Sequence, residues 1–251
     1  TYADSGHLRT VRSLISAGAN PNAQTWDGTT ALMYASEKGH YPIVKELIAN
    51  HAEVNTSNAN HFTALHYATI SNHDSIVELL ILNGADVHPI EHKGMSPLHY
   101  ASAYGYPYLA NLLLHYGAHI DSADYYGNTP LMHAVYYGSS YTTQMLLEEW
   151  AHVEKTDKEG YTPLMVAAQF NDTTLMQLLL DYGANPLAKN STGNTALSLA
   201  MENQADQAIE QLLFLGTTQE NYSDKFSYAD IAYRKGYGDL ANFLHQSMDL
   251  P

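Results

Sequence analysis

The amino-acid sequence predicts an all-α solenoid, in which helix–turn–helix units stack on one another and are joined by β-turn or hairpin fingers. Three observations support this prediction: one short pattern recurs every 33 residues, a paired apolar stripe follows it in several copies, and glycine closes most of these stripes. A fixed period in this range is the signature of repeat proteins. Since a single unit cannot bury its apolar face alone, stability must come from contact between neighbouring units.

The recurring pattern predicts where the first helix of each unit begins. Asp27-Gly28-Thr29-Thr30-Ala31-Leu32 is the first copy, and further copies start at residues 60, 93, 126, 159 and 192. The Thr or Ser at the fourth place can cap the first helix through its hydroxyl, and Pro follows it at the first helical position in three copies. A small residue recurs five places after this cap, where two helices must approach closely: Ala35, Ala68, Ala101, Ala134, Ala167 and Ala200.

The second helix of each unit is predicted from apolar pairs spaced by four residues. Ile43 and Val44, for example, are followed four residues later by a second apolar pair, so that one helical face is buried. Glycine after such a stripe ends a helix in the left-handed conformation. His51 and Trp150 take the place of this glycine in two units. We expect a shifted helix end at Trp150, with its ring packed on its neighbours; the alternative is that Trp150 is kept for a purpose of its own.

A period of 33 residues with a Thr-Pro-Leu or Thr-Ala-Leu opening and a Gly-Ala-Asp or Gly-Ala-Asn close resembles the ankyrin repeat. The resemblance covers about residues 6–248 and implies a β-turn and two antiparallel helices per repeat, stacked into a curved solenoid. It implies a single ankyrin-repeat domain over residues 1–251, with a partial N-terminal repeat over 1–26 and a polar C-terminal capping repeat over 224–248. We number the six repeats between them from 1 to 6 in chain order.

Composition argues against several classes of partner. The formal net charge is −15, so the chain offers no cationic stripe for nucleic acid and would be repelled by an anionic membrane surface. It has no apolar run of 18 residues, no visible signal peptide, and no cysteine for a disulfide or a thiolate metal site. We therefore expect a protein partner, no nucleic acid, no membrane and a monomeric state.

The 14 histidines raise the question of catalysis or metal binding. His66 and His99 follow the Thr-Ala-Leu and Ser-Pro-Leu motifs, where the ankyrin resemblance implies a structural role in hydrogen bonding between repeats. His40 and His73 occupy the family's usual Gly-His position or its equivalent. No metalloprotease, hydrolase or phosphate-binding motif is present. We expect no enzyme activity, no cofactor and no metal site.

The resemblance also places the partner-binding surface, since ankyrin arrays bind through their finger tips and the exposed ends of their first helices. Aromatic and Met side chains occupy many of these positions, and aromatic rings give interfaces a large contact area with few rotatable bonds. The candidate partner-binding residues are Trp26, Phe62, Met95, Tyr104, Tyr125, Tyr126, Tyr136, Tyr137, Tyr161 and Phe170. They predict a contiguous stripe over repeats 3 to 5, extended towards the N-terminus. Tyr34, Tyr67 and Tyr100 recur at a position that we expect to belong to the core.

Three kinds of function fit these observations. The first is a protein–protein interaction module that binds a folded domain or a peptide through the aromatic concave surface. The second is the targeting or substrate-recognition domain of a larger enzyme whose catalytic part lies outside this chain, and the third is an assembly unit that self-associates. The richness in Asn, His, Tyr and Gln without Cys favours a bacterial source, and bacterial ankyrin arrays often act as effectors on host proteins. A cytoplasmic or host-cell location is then expected over a periplasmic one.

Overall fold

The computed structural model describes residues 2–3, 6–214, 232–233, 236 and 238. Within these residues the chain forms 13 short helices and no named β-strand. The helices are α1 (Leu8–Ser16), α2 (Ala31–Glu37), α3 (Tyr41–Ala49), α4 (Ala64–Ile70), α5 (Asp74–Leu82), α6 (Pro97–Ala103), α7 (Pro107–His115), α8 (Pro130–Tyr136), α9 (Ser140–Glu148), α10 (Pro163–Gln169), α11 (Thr173–Asp181), α12 (Ala196–Glu202) and α13 (Asp206–Phe214).

Helices α2 to α13 form six consecutive pairs, one pair per repeat, and the pairs stack in two rows. The first helices form an inner row, in which α2 contacts α4, α4 contacts α6, and so on to α12. The second helices form an outer row from α3 to α13, and α1 contacts α3 at its N-terminal end. The predicted all-α solenoid is confirmed. The predicted C-terminal capping repeat, 224–248, lies outside the described residues apart from four isolated positions.

The inner helices begin at the hydroxyl that was predicted to cap them. Thr30 Oγ1 accepts a hydrogen bond from the Met33 backbone N–H at 3.3 Å, and the equivalent Thr does the same in repeats 2, 4, 5 and 6. Proline occupies the first turn in repeats 3 to 5, where no intrahelical N–H is needed. The six alanines predicted at the helix–helix contact are fully buried. These local features explain why the same short sequence builds the same helix pair six times.

One side-chain oxygen holds the backbone of each finger from repeat 2 onwards. Asn58 Oδ1 accepts hydrogen bonds from the backbone N–H groups of Asn60 and Phe62, both at 3.0 Å. We call the residue at this position the finger acceptor. The equivalent acceptors in the following repeats are Glu91, Asp124, Asp157 and Asn190. The acceptor fixes the finger, so that the residues between the bonded groups point their side chains away from it.

A backbone hydrogen bond joins each finger to the next one. The Ala59 N–H donates to the Asp27 carbonyl at 2.8 Å, and the Lys158 N–H donates to the Tyr126 carbonyl at 3.0 Å. Equivalent bonds join the remaining fingers of repeats 2 to 6. The approach is close enough to require glycine: Gly127 has φ +92°, and a Cβ there would lie 2.8 Å from the Lys158 nitrogen. The fingers therefore form a continuous row along one edge of the stack.

The buried apolar core divides into two clusters. One cluster extends from Ala3 to Ala118, and the other extends from Leu131 to Ala232. The half-buried side chains of Leu114 and Met145 pack against both clusters. The division falls at the boundary between repeats 3 and 4, where Thr142 and Thr143 are buried; α6 still contacts α8, and α7 contacts α9, across this boundary.

The outer helix of repeat 4 departs from the apolar pattern. Thr142 and Thr143 stand where repeat 1 has Ile43 and Val44, and both threonines are fully buried. Neither hydroxyl has a hydrogen-bond partner among the described residues. In repeat 2, by contrast, the buried Thr69 hydroxyl donates to a carbonyl one turn earlier at 2.8 Å. Because a buried hydroxyl without a partner costs roughly 1–3 kcal/mol, α9 is less stable than an apolar pair would make it.

The prediction for Trp150 was wrong. Helix α9 ends in register with the other outer helices, and Trp150 itself adopts the left-handed conformation with φ +69°. Its ring is 88% exposed, so it does not pack on its neighbours. The reason lies in the closing hydrogen bonds: the Ala151 N–H donates to the Leu146 carbonyl at 2.9 Å, as the Ala118 N–H donates to Leu113 in repeat 3 at 3.0 Å. The burial of Ala151 and this hydrogen bond fix the backbone at the end of the helix, so the preceding residue, Trp150, must adopt the left-handed conformation.

We predict that Thr142→Val and Thr143→Val each raise the free energy of unfolding by about 1 kcal/mol, because valine keeps the shape and removes the unsatisfied hydroxyl. Chemical denaturation followed by circular dichroism measures this change. Thr69→Val is the matched control and is expected to give no gain, since its hydroxyl is already bonded. A loss of stability in both repeat-4 variants would contradict the unsatisfied state of these hydroxyls.

We predict that Trp150→Gly raises the free energy of unfolding by about 1 kcal/mol, because glycine removes the strain of the left-handed conformation and little contact is lost. Thermal unfolding measures the change. The matched control is Gly117→Ala, since Gly117 has φ +93° and nothing lies within 4 Å of a Cβ placed there; this variant is expected to lose stability. A lower melting temperature for Trp150→Gly would mean that the ring packs on the protein in solution.

Candidate functional site

A groove of about 680 Å³ lies between the fingers and the inner-helix ends of repeats 4 and 5. Half of the ten candidate residues line it, namely Tyr126, Tyr136, Tyr137, Tyr161 and Phe170. We call it the aromatic groove. The rest of its lining is Asn128, Met132, His133, Asp157, Lys158, Glu159, Val166 and Gln169. Its size falls within the range of sites that hold a small ligand or a few side chains.

The rings of the aromatic groove hold one another in place. Tyr136 meets Tyr137 and Phe170 edge to face, with ring centroids 5.1 Å apart in both pairs. Such pairs contribute roughly 0.5–1.5 kcal/mol beyond the area they bury. The three side chains are still more than half exposed. They are therefore ordered by mutual contact and keep most of their surface available to another molecule.

A second aromatic cluster lies in repeats 2 and 3. The Phe62 ring lies 5.6 Å from Tyr67 and 5.9 Å from Tyr100, and Tyr104 stacks on Tyr100 at 6.2 Å. Phe62 is half-buried by these contacts. The prediction that Tyr34, Tyr67 and Tyr100 belong to the core was wrong in part, because all three are only half-buried. Burial raises the pKa of Tyr67 and Tyr100 above the usual value of tyrosine.

The other candidate residues lie outside both clusters. Tyr125 is 55% exposed and lies over Gly94 of the preceding finger, where a Cβ would come within 2.7 Å of its ring. Met95 is half-buried. Trp26 is 98% exposed and has no ring contact in the described part of the chain. The candidate residues thus divide into two clusters and isolated side chains, and the predicted stripe is not one continuous patch of touching rings.

A carboxylate–histidine pair beneath the aromatic groove was missed by the sequence analysis. His133 Nε2 lies 2.9 Å from Oδ2 of Asp124, the finger acceptor of repeat 4. Burial opposes ionisation of Asp124, but hydrogen bonds from His133 and from the backbone N–H groups of Asn128 and Tyr126 outweigh it and lower the pKa of Asp124 to about 2. The signal in the sequence is that His133 stands where repeats 1 to 3 have tyrosine.

The two histidines that follow the repeat motif link neighbouring repeats. His66 Nδ1 accepts from the Thr63 backbone N–H at 3.2 Å, while its Nε2–H faces the Met95 carbonyl at 3.3 Å. His99 forms the same two bonds with Ser96 and with the next repeat. Burial lowers the pKa of both imidazoles to about 4. The predicted structural role of both residues is confirmed. His73, at the start of an outer helix, also links two repeats, since its Nε2 lies 3.0 Å from the Glu37 carbonyl of repeat 1.

Two kinds of feature are absent from the described residues. No group of three or more His, Cys, Asp or Glu side chains in this part of the chain could hold a metal ion. Among the helices described, none has the length and apolar character needed to cross a lipid bilayer.

Comparison with known families decides the class of the protein. A family model described as ankyrin repeats (3 copies) matches residues 1–91, 82–157 and 131–224. The chain belongs to the ankyrin repeat family. The crystal structure of the human ASB11 ankyrin repeat domain is similar to this ankyrin array, with 31% sequence identity, a TM-score of 0.76, and coverage of 85% of this chain and 95% of that one. Among curated proteins, none matches the chain. Ankyrin repeats bind protein partners, so the array is a protein–protein interaction module on a fold that is typically a non-catalytic scaffold.

We predict that acid weakens this ankyrin array through His66 and His99. Because their folded pKa of about 4 lies below the unfolded value near 6.5, the unfolded state binds the protons first. Their stabilising effect is complete above pH 6.5 and is lost as the pH falls towards 4, by roughly 3 kcal/mol for each histidine. Urea denaturation at pH 7, 5.5 and 4.5 measures the slope.

The non-titrating variant His66→Asn/His99→Asn is expected to be less stable at pH 7 but to show a shallower slope. His61→Asn, which changes an exposed finger histidine, is the control and should keep the slope of the unchanged array. An identical slope in all three proteins would contradict the assignment.

Proposed function

We propose that the array binds a protein partner through the aromatic groove and the neighbouring finger tips. The observation that carries this proposal is the aromatic groove itself, where the rings of repeats 4 and 5 converge on one concavity. Large aromatic side chains that are surrounded by a partner dominate the binding energy of protein interfaces. Three or four anchors of roughly 2 kcal/mol each are sufficient for a specific complex.

The exposed rings of the groove lie outside the buried core, which supports a role in binding. The buried core of repeat 4 is made by Leu131, Ala134, Leu146 and Leu147, all of them fully or almost fully buried. Tyr126 and Tyr137 are 64% and 61% exposed. Large apolar rings that stay exposed to water contribute no hydrophobic free energy to the stability of the free protein. Burial of these rings by a partner would supply that free energy to the complex.

The same groove would serve a free-standing interaction protein, such as an effector that acts on host proteins, or the targeting domain of a larger enzyme. Both roles need the groove to bind protein. The effector role rests on composition and family resemblance, and the targeting role rests on the possibility of further domains in a longer protein.

We predict that Tyr126→Ala/Tyr137→Ala abolishes capture of partner proteins from a lysate and changes the melting temperature little, because both rings are mostly exposed. A pull-down with the purified array, read out by mass spectrometry, compares the variant with the unchanged protein. The matched control is Tyr108→Ala/Tyr141→Ala, which removes two exposed tyrosines from the outer helices α7 and α9. Equal capture by the groove variant and the control variant would overturn the proposal.

A further inference from the structure

The finger acceptor of repeat 5 differs from those of repeats 2 and 4 in what happens to its second polar atom. In repeat 2 the acceptor Asn58 donates from Nδ2 to the Tyr67 hydroxyl at 2.9 Å, and in repeat 4 Asp124 Oδ2 lies 2.9 Å from His133. Both partners stand nine residues after the acceptor. In repeat 5 the residue at that place is Val166, which offers no hydrogen bond.

Asp157 consequently keeps one carboxylate oxygen unused. Its Oδ1 accepts the backbone N–H groups of Glu159 and Tyr161 at 2.9 and 2.8 Å. Its Oδ2 has no hydrogen-bond or ion-pair partner in the part of the chain that the structure describes, and it is not among the fully buried polar atoms that lack one. Asp157 lines the aromatic groove, and its side chain is only half-buried.

The surroundings of Asp157 favour a cation. Aromatic rings present a negative face that attracts an ammonium or guanidinium group, by roughly 0.5–1 kcal/mol at exposed sites and more when water is excluded. The groove brings such rings from Tyr126, Tyr136, Tyr161 and Phe170 together with the carboxylates of Asp157 and Glu159. The formal charge of −15 for the whole chain adds a long-range attraction for basic molecules.

The lysine in the groove does not neutralise this carboxylate. Lys158 follows Asp157 in sequence, but its ammonium lies within 4 Å of no carboxylate among the described residues. Its backbone N–H is bonded to the preceding finger, so the side chain leaves from the finger tip and is exposed.

We propose that the aromatic groove receives a lysine or arginine side chain of the partner protein, with Asp157 as its counter-ion and the tyrosine and phenylalanine rings as its walls. This inference rests on the proposed function and names the chemistry that the groove recognises. It deepens the expectation of general protein binding: a basic residue on the partner is the anchor, and the rings provide both apolar contact and attraction for its charge.

The test uses three pentapeptides, acetyl-Gly-Gly-X-Gly-Gly-amide, in which X is arginine, lysine or citrulline. Citrulline has the shape of arginine without its charge. Titration of the isotope-labelled array, followed by amide chemical shifts in NMR, is expected to give saturable changes at residues 126–137 and 157–170 with arginine or lysine. The citrulline peptide is expected to bind at least tenfold more weakly, and the stronger of the two basic peptides identifies guanidinium or ammonium as the preferred group.

The decisive variant is Asp157→Asn, because Asn58 and Asn190 show that asparagine holds a finger equally well. It is expected to weaken the basic peptides about tenfold, which corresponds to about 1.4 kcal/mol, and to leave the spectrum of the free protein otherwise unchanged. Glu78→Gln, on the exposed face of α5, makes the same change in net charge and is expected to bind like the unchanged array. Phe170→Leu keeps an apolar side chain without a π face and is expected to weaken binding about threefold.

Equal binding of citrulline and arginine, unchanged binding by Asp157→Asn, or the absence of any groove response would each overturn the cation site. None of these results would decide the wider role, since the pull-down with the double-tyrosine variant tests protein binding by itself. If the double-tyrosine variant loses capture and the citrulline peptide binds as well as the arginine peptide, the groove binds protein through apolar contacts and not through a cation.

Discussion

Each finger from repeat 2 onwards depends on one side-chain oxygen that accepts two backbone N–H groups, and much of the structure follows from this arrangement. The carbonyl groups of a finger satisfy only some of its own N–H groups, so an Asn, Asp or Glu at its base supplies a further acceptor. The fixed finger then donates to the carbonyl of the finger before it, which sets the spacing of the row. Because the acceptor uses one oxygen for this purpose, its second polar atom is available for another contact. Asn58 and Asp124 use this atom within their own repeat, whereas the second oxygen of Asp157, which lines the groove, has no partner among the described residues.

The fold was predictable because its determinants are short and repeated. The Thr caps, the small alanines and the glycines each act within a few residues, and six copies in register remove the ambiguity of any single one. The inter-repeat role of His66 and His99 was likewise accessible, since the resemblance to the ankyrin motif implies it. The pair between Asp124 and His133 was not predicted, because the repeat motif does not show which side chain the finger acceptor contacts. The half-burial of Phe62 depends on Tyr100 from the next repeat, and contacts of this kind are not visible in the pattern of a single unit.

Several departures from the repeat pattern lie in repeat 4. It has threonines in place of the aliphatic pair, tryptophan in place of the glycine that closes the outer helix, and histidine in place of the inner tyrosine. Natural sequences are locally consistent with their fold except where another requirement competes. The aromatic groove lies on this same repeat and the one after it. Of these residues, His133 lines the aromatic groove, which agrees with the proposal that repeats 4 and 5 bind the partner.

The position of the aromatic groove determines which repeats a bound partner would stabilise. All residues that line the aromatic groove fall between Tyr126 and Phe170, on the C-terminal side of the boundary near Leu114 and Met145. A partner in the groove would therefore stabilise repeats 4 and 5 directly, and would stabilise repeats 1 to 3 only through the contacts of α6 with α8 and of α7 with α9.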